Sequence, residues 1–312
     1  MVWDSEMATD ERMRLLALCT LPRMDWSFVA REAQRPGGLG RLLASDPVES
    51  TAEAKRCALL IGSAQLDVAT MRQRVTAWQA KGLRLVTVLD EDYPINLRRI
   101  SNLPPFLFYR GELRRDDAFS VAVVGTRRPT PDGLRRARAI AKNLVRSDVT
   151  VLSGLARGID TVAHESALTA GGRTIAVLGS GILRVYPPEN ATLAERIADS
   201  GAVVSQFWPD APPAAYNFPR RNIVTSGLGQ GTVVIEASAT SGAKMQARLA
   251  LEHGKRVFLL ASLVHDNAWA ASYVKRGAIV VDNVKDVVHA LRPVAAVQED
   301  TQDRFQLTMK LA

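Results

Sequence analysis

Two adjacent arginines follow a strand pattern in the segment VAVVGTRRPTPDGLRRARAIAKNL, residues 121–144. The apolar run stops at Gly125, and a basic helical pattern begins after the turn residues PTPDG. In an open α/β sheet, ligands bind at the carboxyl ends of the strands. Glycine lets a ligand approach the backbone, and a guanidinium group is a planar fork that fits phosphate. The segment therefore predicts an anion site, with candidate residues Gly125, Thr126, Arg127 and Arg128.

A second glycine-rich turn lies in LSGLARGIDTVAHESAL, residues 152–168. Backbone N–H groups of such a turn and of a helix N-terminus form a ready anion site. Asp160 is expected to cap the helix, and His164 is expected to be a packed, hydrogen-bonded residue rather than a catalyst. The candidate ligand residues are Ser153, Gly154, Arg157 and Gly158.

The third segment is VLGSGILRVYPPEN, residues 177–190, in which a cation and an aromatic residue share a loop. Its G-x-G lacks the third glycine of a dinucleotide fingerprint. Arginine beside an aromatic ring suits a nucleotide, because the cation binds phosphate and the ring stacks on a base. The candidate residues are Gly181, Arg184 and Tyr186.

The fourth segment, residues 217–247, contains NFPRRN before a glycine-rich turn and SGAK after the next strand. Lys244 falls in the first turn of a helical pattern, where the helix dipole favours acids. A bound anion would explain a lysine at that position. The candidate residues are Arg220, Arg221, Asn222, Ser241, Gly242 and Lys244.

No catalytic, cofactor or metal motif accompanies these four segments. The chain has no G-x-S-x-G elbow, no Walker A lysine motif, no H-E-x-x-H and no C-x-x-C. We predict no catalytic residue, no cofactor and no metal site, and instead a cationic groove that binds phosphates.

Composition agrees with a globular chain that has a polyanionic partner. The 312 residues carry 40 Lys+Arg against 32 Asp+Glu, a formal net charge of +8, which attracts phosphates at long range. No apolar run approaches a membrane span, and the acidic N-terminus lacks the apolar core of a signal peptide. Two distant cysteines, Cys19 and Cys57, fit a reducing cytoplasm.

Apolar periodicity divides the chain into a helical part and an alternating part. Residues 9–80 contain helical patterns only, whereas strands and helices alternate from residue 83. Continuous apolar strands between helices indicate a mostly parallel sheet covered on both faces. We predict a helical domain at 1–80, an α/β domain at 81–294 and a polar C-terminal tail at 295–312. The predicted strands are 83–90, 121–125, 149–154, 174–179, 202–207, 232–237, 256–261 and 278–282.

Taken in order, these segments resemble the DNA-processing protein A family (DprA, also called Smf). The matching stretches are VVGTRR, LSGLARGIDTVAHESAL, GGRTIAVLGSGILRVYPPEN, NFPRRN and VVIEASATSG, within roughly residues 83–260. The resemblance implies a doubly wound, mostly parallel Rossmann-like sheet, preceded by a small all-helical, SAM-like domain. It also implies a cytoplasmic, non-catalytic homodimer that binds single-stranded DNA and loads a RecA-type recombinase in natural transformation. By motif, the DNA contacts would be Arg127, Ser153, Gly154, Arg184, Tyr186, Arg221 and Asn222.

The last third departs from the family pattern. Ile223 replaces the second arginine of FPxRNR, Ser205–Gln206 replaces a serine–glutamate pair, and Ala261–Ser262 replaces a Pro-Gly. We also expect no C-terminal winged helix, because the tail at 295–312 is short. These departures predict that the second half of the groove is reshaped. They also leave open a diverged relative that works in defence or in a specialised operon rather than in transformation.

An alternative comes from SGLGQGTVVIEAS, residues 226–238, which also resembles the turn of LOG-type phosphoribohydrolases. Under that interpretation Glu236 would lie near a ribose, and the chain would be an enzyme or a sensor of a small nucleotide.

Overall fold

The computed structural model describes residues 6–301, with side chains from residue 9 onward. Within that range the chain forms two compact units, one of residues 6–93, 101–107 and 300–301 and one of residues 94–100 and 108–299. The division places residues 81–93 with the helices, whereas the sequence analysis put a boundary after residue 80. That boundary stays a prediction.

The first unit is built from five helices and the short strand β1, as the periodicity of residues 9–80 predicted. Side chains of Asp25, Thr51 and Asp67 accept hydrogen bonds from the first backbone amides of the second, fourth and fifth helices. Cys19 and Cys57 are buried free thiols, and burial raises the pKa of Cys19. The elements are α1 Glu6–Leu18, α2 Trp26–Ala33, α3 Gly38–Leu43, α4 Ala52–Gly62, α5 Val68–Gln79 and β1 Arg84–Thr87.

Nine strands form one mixed sheet in the order β1-β2-β6-β5-β4-β3-β7-β8-β9. Strand β2 pairs antiparallel with β6, and the pairs from β6 to β9 are parallel. Every residue of β3 to β7 is buried, because helices cover both faces. The remaining strands are β2 Phe106–Gly111, β3 Ser120–Val124, β4 Thr150–Ser153, β5 Thr174–Val177, β6 Ala202–Ser205, β7 Gly231–Val234, β8 Arg256–Leu260 and β9 Ile279–Val281. The mostly parallel doubly wound sheet is confirmed.

Eight further helices follow β2 in the described chain, and the helical patterns of the sequence account for six of them, at 133–146, 159–170, 191–199, 242–253, 267–276 and 284–291. Helix α9 begins at the NFPRRN segment, which the sequence analysis treated as a loop before a turn, and α11 follows β8 directly. Residues 294–301 are also helical, and the rest of the predicted tail lies outside the described residues. The helices are α6 Pro131–Val145, α7 Ile159–Thr169, α8 Ala191–Ser200, α9 Asn217–Leu228, α10 Gly242–Glu252, α11 Ala261–Asp266, α12 Ala268–Val274 and α13 Val284–His289.

The strand order creates a crevice beside β3. Strand β4 pairs with one edge of β3, and β7 pairs with the other. The chain therefore leaves β3 toward β4 and leaves β7 in the opposite direction, toward β8. Such a topological switch point is where ligands bind in open α/β sheets. No helix among the described residues is long and apolar enough to span a bilayer.

Candidate functional site

A cleft of about 480 Å³ opens at this switch point. The loops after β3, β4 and β7 form its walls, together with helix α9 and the first turn of α10. It brings together nine of the residues predicted from the sequence. They are Gly125, Thr126, Arg127, Arg128, Gly154, Arg221, Asn222, Ser241 and Gly242.

An aromatic and cationic wall continues from the cleft into a shallow depression that Arg157 and Tyr186 also line. The Phe218 ring lies 5.9 Å from the Tyr186 ring, centroid to centroid. The Arg127 guanidinium lies 5.5 Å from the Phe218 centroid. Cations near ring faces and tilted ring pairs are both favourable. The wall therefore offers a base-stacking surface beside a charge that can bind phosphate.

Arg221 lies on α9 and forms the floor of the cleft, with only 7% of its surface exposed. Its Nη1 donates to the Val177 carbonyl at 3.0 Å, and its Nε donates to Asn222 Oδ1 at 3.1 Å. Burial lowers the pKa of Arg221, the Asp160 charge opposes that shift, and the Arg127 charge adds to it. Arg221 is thus a buried cation in the cleft floor, with its guanidinium packed closely against Gly154.

Asp160 is a buried carboxyl group close enough to Arg221 for their charges to interact. Its Oδ2 accepts from the Gly154 amide at 3.1 Å and from the Ala156 amide at 3.4 Å. Burial raises the pKa of Asp160, and the nearby Arg221 charge and these amides oppose the shift. The predicted cap is therefore wrong in detail, because Asp160 holds the preceding loop. The two amides are bonded internally, so side chains rather than this turn supply the anion site.

His164 is fully buried on α7 beneath the same loop. Thr174 Oγ1 donates to the Val151 carbonyl, so the Nδ1 of His164 donates the 2.7 Å bond to that oxygen. Its Nε2 is buried without a partner. Burial and the Arg221 charge lower the pKa of His164 to about 3. The expectation of a packed, hydrogen-bonded residue matches this neutral imidazole.

Comparison with known proteins identifies the family. The model described as DNA recombination-mediator protein A matches residues 84–292, which is more than half of the chain. The chain belongs to this family. It is 41% identical over 211 residues to Protein Smf of Escherichia coli K12, in an alignment that covers 67% of this chain and 56% of that relative. The chain thus spans just over half the length of that relative.

Solved structures of the family share the fold. The DNA processing protein A (DprA) of Streptococcus pneumoniae superposes with a TM-score of 0.73 at 27% identity, over 91% of this chain and 98% of that chain. The Helicobacter pylori DNA processing protein A, whose structure addresses its single-stranded DNA binding mode, gives 0.59 at 26% identity, over 66% of this chain and 94% of that chain.

Several predicted site residues of this DprA-family chain lie below the surface. Ser153 is 0% exposed, and its hydroxyl donates to the Val123 carbonyl at 2.7 Å. Gly181 is buried, with no room for a Cβ beneath the Trp208–Pro209 backbone. Gly158 has a φ of 79° and packs on the Thr126–Arg127 backbone. Ser153 and Gly181 thus support their loops, and a contact of either residue with a ligand stays a prediction.

Four predicted cations do not line the cleft. Arg184, Arg220 and Lys244 are absent from its walls. For Arg220 the reason is its helix, because successive helix residues are rotated by about 100° and the neighbouring Arg221 takes the inward position. Arg220 instead lies over the Phe207 ring at 5.8 Å. Arg157 lines the depression but forms an ion pair with Glu189. In the described residues, the accessible cations of the cleft itself are therefore Arg127 and Arg128.

Sequence reasoning missed Phe218 and Gln246, which both line the cleft. Phe218 was visible as the aromatic residue of NFPRRN, but only a helix places it one turn before Arg221. Gln246 is 2% exposed and bridges the α9 backbone, donating to the Asn222 carbonyl and accepting from the Ser226 amide.

Glu236, the residue on which the alternative enzyme hypothesis rests, faces away from the cleft. Its carboxylate accepts from the Thr130 amide at 3.1 Å and from the Thr130 hydroxyl at 3.0 Å, and it packs on Gly133. An acid at a helix N-terminus is favourable, and here it stabilises the start of α6. Glu236 lines a different cavity, of about 370 Å³, and is not among the residues that line the cleft.

Proposed function

We propose that this chain is a non-enzymatic, cytoplasmic protein that binds single-stranded DNA in the cleft. The observation that carries the proposal is the convergence of Arg127, Arg221 and the Phe218 ring on one cavity. Guanidinium groups bind backbone phosphates, and an aromatic face stacks bases of any sequence. The single-stranded DNA binding described for the H. pylori relative supports this choice of ligand.

The finer parts of the proposal follow from family membership. We propose that the chain acts as a homodimer, protects single strands and passes them to a RecA-type recombinase in transformation or recombination. DNA binding itself needs neither a second copy of the chain nor the recombinase, because residues of one chain line the whole cleft.

Replacing Arg127 with alanine should weaken binding of labelled oligo-dT about tenfold at moderate salt. The reason is that the variant loses one phosphate contact and the cation above Phe218. The slope of log affinity against log salt should become shallower by about 0.7, the value for one phosphate on a single strand. Fluorescence anisotropy at several salt concentrations measures both quantities.

The matched control is Arg196→Ala, which removes the same charge from an exposed position on α8. Arg127→Lys should lose an intermediate amount, because lysine keeps the charge without the fork. Unchanged binding by Arg127→Ala, or a wild-type protein whose affinity ignores salt, would refute the proposed cleft function.

Replacing Glu189 with glutamine should tighten oligo-dT binding a few-fold. In the free protein Glu189 pairs with Arg157 at the edge of the depression, and the partner raises the pKa of Arg157. The neutral amide releases Arg157 for a phosphate, so the salt slope should steepen by about 0.7. Glu195→Gln on α8 removes the same charge elsewhere and serves as control. Equal tightening by both variants would show a general charge effect and contradict a role for Glu189.

A further inference from the structure

We propose that helix α6 carries a second binding surface for the nucleic-acid strand, which continues from the cleft. It consists of Arg135, Arg138, Lys142 and Arg146, called here the α6 stripe. This inference rests on the proposed function, because it extends the path of the same strand.

The four cations form one row. Their spacings of three, four and four residues place them on one face of the helix, over a length of about 17 Å. Arg135, Arg138 and Arg146 are exposed, and Lys142 is half-buried. The opposite face packs inward through Ala137, Ile140, Ala141 and Leu144. The stripe is therefore the solvent-facing side of α6.

The row begins where the cleft ends. Arg128 lines the cleft two residues before Thr130, the N-cap of α6. In a parallel βαβ unit the helix runs antiparallel to its strands, so α6 leads from the ligand-binding edge along the face of the sheet. A strand that leaves the cleft past Arg128 thus meets Arg135 first and Arg146 last.

The charges of the stripe are largely unbalanced. Asp132 is the one acidic residue of α6, and it pairs with Arg135 and Arg136 in the first turns. Arg138 and Lys142 form no ion pair within the described part of the chain. The helix dipole favours cations near the C-terminus, which accounts for Lys142 and Arg146 but not for Arg138 at mid-helix.

The stripe fits a nucleic-acid strand better than a membrane surface. Helix α6 has none of the exposed large apolar side chains that interfacial helices bury in a bilayer. Helix α8, in contrast, has the mixed exposed charges Glu195, Arg196 and Asp199 of an ordinary solvated face. A row of cations without apolar neighbours suits phosphates spaced along a backbone.

The test compares short and long oligo-dT with the double variant Arg138→Ala/Lys142→Ala. One probe has about six nucleotides, near the lower limit of single-strand sites, and the other about thirty. Alanine preserves the helix, so the fold is unaffected. Arg196→Ala/Lys275→Ala removes two exposed charges from α8 and the end of α12 as the matched control. Vesicles rich in anionic lipid form a third arm.

We expect the double variant to lose about tenfold in affinity for the long probe, with a salt slope shallower by about 1.4, and to bind the short probe like wild type. Equal binding of the long probe by wild type and variant overturns the stripe and leaves the cleft proposal standing. If the double variant loses binding only to the vesicles, the α6 stripe binds membranes and the proposal is overturned. Failure of wild type to bind the short probe instead overturns the proposed function of the cleft.

Discussion

Replacing Arg221 with methionine should lower the free energy of unfolding by about 3 kcal/mol, because it leaves the buried Asp160 carboxylate without its counter-charge. Methionine keeps the aliphatic part of the side chain but removes the bonds to the Val177 carbonyl and Asn222. It also removes a cation from the cleft floor, so oligo-dT binding should weaken. Urea denaturation at neutral pH measures the stability.

The adjacent Arg220 provides a matched control. It lies on the same helix and is exposed, so Arg220→Met should change stability by less than about 1 kcal/mol. The double variant Asp160→Asn/Arg221→Met should be more stable than Arg221→Met alone, because the asparagine carries no charge that needs Arg221. Two outcomes would show that the charges of Asp160 and Arg221 are not coupled. Arg221→Met would unfold at the same urea concentration as wild type, or the double variant would be less stable than Arg221→Met.

Stability should fall as the pH drops from 6.5 to 3, and His164 should be a main cause. A histidine whose folded pKa is depressed stabilises the fold above its unfolded pKa of 6.5, and that stability is lost as pH falls toward its folded pKa of about 3. The expected loss is about 2 kcal/mol between pH 6.5 and 5, since one proton corresponds to 1.36 kcal/mol per pH unit. Urea denaturation across this range measures it.

Two variants isolate the contribution of His164. His164→Leu cannot take up the proton, so its stability curve should be flatter than that of wild type by about 1.4 kcal/mol per pH unit. His265→Gln removes an exposed imidazole elsewhere and is the control for the loss of a histidine. Parallel curves for wild type and His164→Leu would mean that the imidazole titrates alike in the folded and unfolded chain. His253, whose pKa burial lowers to about 4, contributes equally to both curves.

Strong local patterns made most of the fold predictable. Every predicted strand has a counterpart, because buried parallel strands are apolar throughout and stand between helical repeats. Helix α9 was not predicted because its buried run, residues 224–228, contains Thr225, Ser226 and Gly227, so no apolar repeat of helical spacing marks it in the sequence. Gly227 sits in this run, where Leu97 and Ile100 approach too closely for a side chain. Strand β2 was not predicted because prolines and turn residues surround it in the sequence.

The site was predictable in its location but not in the role of each residue. Arg127 and Arg128 lie where a strand meets a turn, and the rule for strand ends applies to them without further information. Arg221 and Arg157 share their chemistry but have different surroundings. The first is buried under Gly154, and the second is paired with Glu189.

The sequence by itself determined the order of most strands and helices, the glycines and arginines at the strand ends, and the excess of positive charge. Only the tertiary structure decided which of those arginines face solvent, because exposure depends on residues distant in the chain. Arg221 meets Val177, 44 positions away, and Glu236 reaches Thr130, 106 positions away. Local preferences act over a few residues, whereas burial and charge pairing arise when remote segments pack together.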